Sequence, residues 1–152
     1  MKRELANKGE EELRKLSVEL RLLEQTAEAV QSRANMVNAV ITDLTYATMT
    51  LDGLEKEKEN AELLIPIGGS SYAKVKLAST DKLIVGIGAG VSVEKSLPET
   101  KEIVKKRLED LAKSRNALQQ QFVQVAEKIN DDRRKFESLV AAMREEKPAT
   151  DV

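Results

Sequence analysis

The sequence has no cysteine, no histidine and no tryptophan, and aromatic residues make up only 3% of its 152 positions. Without cysteine there can be no disulfide, zinc finger or thiol catalysis; without histidine the commonest general base and metal ligand are missing. So few aromatics deprive a compact core of its largest space-fillers, a profile that suits long helices better than an isolated sandwich or barrel. No apolar run approaches the roughly 18 residues of a membrane span. The opening MKRELANKGEEELRKL lacks the apolar stretch of a secretory signal, so a soluble, cytoplasmic protein is expected. Basic and acidic residues number 25 and 26 and are mixed along the chain, with a net charge of −1. No basic face is present to meet the phosphates of a nucleic acid.

What the chain does have is a heptad pattern, twice. Leu13, Leu16, Leu20, Leu23, Ala27, Val30, Ala34, Val37, Ile41, Leu44, Thr48 and Leu51 fall alternately three and four apart. Eleven of these twelve are apolar, where a 41% hydrophobic content would supply about five by chance. The pattern weakens at Gly9, and a first helix is predicted over about 10–59. A second seam runs Val104, Leu108, Leu111, Arg115, Leu118, Phe122, Val125, Ile129, Asp132, Phe136, Leu139 and Met143. Ser96 and Glu99 form an S-x-x-E capping box with Pro98 in the first turn, so the second helix is predicted over 97–146, followed by a frayed tail at 147–152. Arg115 and Asp132 interrupt this seam and are expected to turn their charges outward.

Between the seams the period changes to two. LLIPIGGSSYAKVKLA holds a strand around 63–67, a GGSS turn and a strand over 72–77, with Ala73, Val75 and Leu77 on one face and Tyr72, Lys74 and Lys76 on the other. KLIVGIGAGVSVEKS follows as strand, glycine turn and strand. Its G-x-G-x-G spacing is not a Rossmann fingerprint, strand rather than helix follows it, and no G-K-[ST] is present. The glycines instead supply positive φ at a turn. No catalytic residue, metal site or cofactor is assigned, since acidic pairs such as Glu11-Glu12 and Asp131-Asp132 stand on charged helix faces.

The predicted fold class is α+β, one domain over 1–152: an antiparallel coiled-coil hairpin with two β-hairpins (63–97) between its helices. Each arm would span about 70 Å at 1.5 Å per residue. Facing layers keep a constant sum of residue numbers, and either 159 or 152 is allowed. Four short strands cannot close on themselves or cover their own edges. Their apolar set, Ile65, Ile67, Val75, Leu77, Val85, Ile87, Val91 and Val93, is therefore predicted to join strands of other subunits in the shared β core of an obligate oligomer.

Residues 63–111, LLIPIGGSSYAKVKLASTDKLIVGIGAGVSVEKSLPETKEIVKKRLEDL, resemble the prefoldin family. Family members carry a comparable VPIG, a strand, and V-x-V-G-x-G-x-x-V-E-K-S before the second helix; two hairpins point to the α-type class. Val91 departs from relatives that carry an aromatic at this place. The resemblance implies a hexamer of two α and four β subunits, its strands joined in an inter-subunit double β-barrel with six coiled-coil arms, that captures unfolded polypeptides without ATP and passes them to a group II chaperonin. Neither nucleic acid nor membrane is an expected partner. On that reading, off-seam Val18 and Leu22 and flanking Val140 would meet clients. Fraying would add Leu13, Leu16, Leu20, Phe136, Leu139 and Met143. The rival from another class is an architectural coiled-coil spacer or filament subunit.

Overall fold

The structure, a computed structural model, describes residues 1–146; the tail expected at 147–152 lies outside the described residues. The element order is α1 (Lys2–Glu55), β1 (Glu62–Gly68), β2 (Ser71–Lys76), β3 (Lys82–Gly88), β4 (Val91–Ser96) and α2 (Leu97–Glu145). Two long helices with two antiparallel hairpins between them match the expected class. The described residues divide into two compact units, one, the distal unit, made of the helix segments within 1–36 and 114–146, and one of residues 37–113.

Helix α1 starts eight residues before the expected position and ends four residues earlier. Gly9, read from sequence as the place where the pattern fails, lies inside the helix. A Cβ on it would meet the Met143 Sδ at 3.5 Å, so the missing side chain makes room for the opposing methionine. Lone glycine costs a helix only about 1 kcal/mol, which the flanking Leu5–Lys8 and Glu10–Leu13 turns absorb.

In the distal unit the register is settled. Gly9 faces Met143, residue numbers that add to 152. Ion pairs Glu19–Lys128 at 3.1 Å and Glu24–Arg133 at 2.9 Å add to 147 and 157 and flank that line on either side. The alternative sum of 159 would set Leu16 against Met143 and is not adopted. Every seam position of α1 from Leu13 to Leu51 is buried or half-buried, as the heptad pattern required. Thr48, the one polar member, donates its hydroxyl to the Leu44 carbonyl at 2.9 Å and so enters the seam satisfied.

Of the two seam interruptions on α2, Arg115 is exposed as expected and Asp132 is not: its relative exposure is 0%. The difference is reach. An arginine stem is long enough to carry its charge to water from a seam position, whereas the single methylene of aspartate leaves the carboxylate where its Cα puts it.

In the unit of residues 37–113, Leu51, Leu97 and Val104 form a buried cluster. Leu44, Leu54 and Leu108 of the helices and Leu83 of β3 pack against it. The α2 N-terminus is held by the expected capping box. The Ser96 N–H donates to Glu99 Oε2 at 3.0 Å, and the Glu99 N–H donates to Ser96 Oγ at 3.2 Å. Lys101 joins the helices on the outside, bonding Asp52 at 3.0 Å and Glu55.

The two hairpins are copies of one another displaced by 20 residues. Leu63↔Val75, Ile65↔Ala73 and Gly68↔Ser71 in the first correspond to Leu83↔Lys95, Val85↔Val93 and Gly88↔Val91 in the second, and each ladder slips by one residue just before its turn. Gly69-Ser70 and Ala89-Gly90 are both left-handed at both positions, the two-residue turn that matches strand twist. Gly68 and Gly88, at φ +105° and +118°, occupy a region closed to side chains.

Two outcomes are expected. Gly88→Ala should destabilise the chain by about 1–3 kcal/mol in denaturant titration, because the alanine must hold a disfavoured φ. Glu99 is held below the ordinary glutamate range by the Ser96 N–H, the Ser96 hydroxyl and the charge of Lys95. Its folded-state pKa is lowered, so its contribution is present at neutral pH and is lost as pH falls through that lowered value. Glu99→Gln keeps the reciprocal bond without the titration and should flatten the stability profile below about pH 4.5.

Candidate functional site

Two surfaces carry exposed apolar groups that the chain itself does not use, one in each unit. In the distal unit Val18 and Leu22, one helical turn apart on the outer side of α1, are 60% and 58% exposed. They line a shallow groove of about 380 Å³ with Arg14, Lys15 and Glu19. At the end of the unit a more enclosed groove of about 400 Å³ is bounded by Lys2, Leu5, Ala6, Glu10, Met143 and Glu146. Leu5 and Ala6 were not singled out from sequence because the helix was taken to begin after them. The signal was available in Ala6, which continues the alternate three-and-four spacing through Gly9 and Leu13, with Leu5 beside it.

The remaining residues singled out at this end divide by depth. Leu13, Leu20, Phe136, Leu139, Val140 and Met143 are half-buried, and Leu16 is buried. Leu16 can meet a ligand only when the helix ends part. Asp132 lies on the same seam, accepting a hydrogen bond from Lys128 Nζ at Oδ1, while its Oδ2 is buried and has no hydrogen-bond partner. Lys128 also reaches Glu19, and the two carboxylates, Asp132 first, keep its ammonium protonated to higher pH than usual.

In the second unit the hairpins are unequal despite their shared register. Val85 of β3 is covered by its own chain, at 6% exposure, and Leu83 packs on the helical cluster. Arg107 of α2 donates to the Gly86 carbonyl and ties this hairpin to the helix. Val85 therefore leaves the set expected to face other subunits. The rest keep exposed or half-buried positions: Ile65, Ile67, Ile87 and Val91 are exposed, and Val75, Leu77 and Val93 are half-buried. Leu64, Tyr72 and Ile84 are exposed on the opposite face and were missed. The 20-residue repeat marks Leu64 and Ile84 as equivalent, a clue that alternation within one strand does not give. Helix α1 also exposes Val40, Tyr46 and Met49 in this unit. Here, between Asn35 and Leu51, Asp43 is the only charged residue.

Among the described residues no group of His, Cys, Asp and Glu could hold a metal ion, and no helix is long and apolar enough to cross a membrane. What the described residues offer is exposed apolar surface and unpaired strand edges. Such a molecule belongs to the class of assembly-forming, helix-armed binding proteins. The family profile described as prefoldin subunit matches residues 23–142, and the chain belongs to the prefoldin family. It is 32% identical over 125 residues to prefoldin subunit alpha of Methanococcoides burtonii, covering 82% of this chain and 91% of that protein. To the prefoldin subunit alpha of Methanobrevibacter smithii it is 30% identical, covering 93% and 97%.

Among solved structures, the fold is shared with filamentous PFD from Methanocaldococcus jannaschii, at a TM-score of 0.65 and 24% identity over 74% of this chain and 93% of that one. It is shared also with the prefoldin beta subunit from Thermococcus strain KS-1, at a TM-score of 0.55 and 17% identity over 83% and 90%. The resemblance found in residues 63–111 is thereby borne out, and with it a chaperone-type subunit that assembles with other prefoldin subunits.

The inequality of the hairpins yields a paired prediction. Ile87→Asp, at a 55% exposed position, should leave the helical circular dichroism of the chain intact and abolish the oligomer in size-exclusion chromatography. Val85→Asp should instead cost roughly 3 kcal/mol or more of stability in the chain itself.

Proposed function

We propose that this chain is the α-type subunit of an ATP-independent cytoplasmic holdase, which captures unfolded polypeptides at the distal ends of its helices and transfers them to a group II chaperonin. The observation that carries this reading is the exposed apolar surface of the distal unit: Val18 and Leu22 on one side, and the Leu5–Ala6–Met143 groove at the end. Apolar side chains held open to water on a well-formed helix have no stabilising role there, and they are the groups an unfolded chain would use to leave water.

The expected assembly has two α and four β subunits joined through β-barrels, in which the unpaired edges of both hairpins find strands of their neighbours. Several arms would then hold one client through many weak contacts, so that affinity comes from number rather than from any one site. Client specificity stays broad because the contacts are apolar and undirected. An architectural spacer or filament subunit would need the same hairpins but has no use for the exposed distal residues.

The test is aggregation of a chemically denatured client, followed by light scattering, with the assembled complex added. Removing residues 1–23 and 134–152 should leave assembly intact and lose most of the protection. Val18→Ser combined with Leu22→Ser should keep stability within about 0.5 kcal/mol, since both side chains are exposed, and weaken protection by roughly half or more. Unchanged protection by the truncated complex would refute the reading.

A further inference from the structure

We propose that Asp132 is a built-in parting point of the distal helix pair: beyond it the two helix ends separate, and the seam residues they release become client contacts. The second half of this rests on the holdase reading above; the first half does not.

The argument begins with how little holds Asp132 in place. Its side chain has no exposure, yet only Oδ1 is bonded, and Oδ2 is buried without a hydrogen-bond partner. The single donor, Lys128, is divided between Asp132 and Glu19, and its own side chain is 45% exposed. One cation thus serves two carboxylates. A buried oxygen with no donor is destabilising in the closed pair, and parting of the helices would return it to water. Opening at this point is therefore favoured relative to opening anywhere that the seam is apolar.

What lies on each side of Asp132 sets the direction. On the side of rising α1 numbers stand Ile129 and Val30, both buried, and the exposed Glu24–Arg133 ion pair spans the Asp132 layer. Toward the ends, the register of 152 leaves three layers: Leu16 with Phe136, Leu13 with Leu139, and Gly9 with Met143. Only Leu16 of these six is buried, and the last layer has a glycine on one side. The distal segment is thin in apolar contact and is separated by a carboxylate from the layers that hold Ile129 and Val30. Asp132 acts as a positioning residue: it sets where the pair opens and touches no client.

Hydrogen exchange followed by mass spectrometry, on the full chain assembled with its partner subunits, tests this. Asp132→Leu should slow exchange of backbone amides in residues 5–20 and 134–145 by roughly tenfold or more, with little change in residues 37–55. Lys128→Met removes the only donor and should speed exchange in the same segments. Asp131→Leu, at the exposed neighbouring position, makes the same change in helix propensity and should leave those rates within about twofold of the native chain. Equal or faster exchange in Asp132→Leu, or equal slowing in Asp131→Leu, would overturn the parting point. In the aggregation assay Asp132→Leu should protect less than the native complex. Slowed exchange with full protection would overturn the link between opening and capture. A native complex that protects no client would defeat the holdase reading, while the exchange data would still decide the role of Asp132.

Discussion

A helix paired with one other helix can hide a single stripe of its surface, and a two-stranded hairpin can hide at most one face. Everything else in this protein follows from that limit. Among the described residues only seven hydrophobic side chains are buried, and they stand in the helix seams, at the start of α2 and at one strand position, Val85. A full side chain taken from water is worth about 1.5–3 kcal/mol, so a seam this narrow must gain from nearly every layer. The unbroken burial of α1 from Leu13 to Leu51 is the consequence. It also explains why polar residues on the seam have so much effect: each one removes a layer from a short series.

The same limit leaves the hairpins with open edges and open faces. The second is partly supplied from within, through Leu83 on the Leu51–Leu97–Val104 cluster and the Arg107 bond to Gly86. The first keeps Leu64, Ile65, Ile67 and Tyr72 open to water. Duplicating a hairpin at a spacing of 20 residues gives two copies of one backbone design, while the side chains assign them different surroundings.

Much of this was legible in the sequence because it rests on local periodicity. The 3.5-residue spacing located both seams, S-x-x-E placed the start of α2 at its observed residue, and the alternation in 72–77 gave the right faces. Residue spacing failed where the outcome depends on what stands opposite. Gly9 looked like the end of a pattern because its partner, Met143, is 134 positions away and supplies the volume that glycine lacks. Both register sums satisfied the heptads of each helix taken alone, and the Gly9–Met143 contact with its flanking ion pairs separates them. Val85 and Ile87 occupy the same face of β3, so alternation could not tell that one is covered by its own chain and the other is not.

Asp132 shows where such reading must change from pattern to reach. A charged residue at a seam position can be carried outward by a long stem, and Arg115 does so. Aspartate has no stem, so the carboxylate goes where the backbone sends it and the surroundings must adapt. Here they adapt with one shared lysine and leave an oxygen unserved. A leucine at this position would pack the seam more tightly, at the cost of holding the distal layers closed. The proposed parting point asks for the reverse, a pair strong enough to stand as two helices and weak enough at one layer to come apart. On that proposal, opening rather than stability is the reason for a buried carboxylate in a seam that can hardly spare a layer.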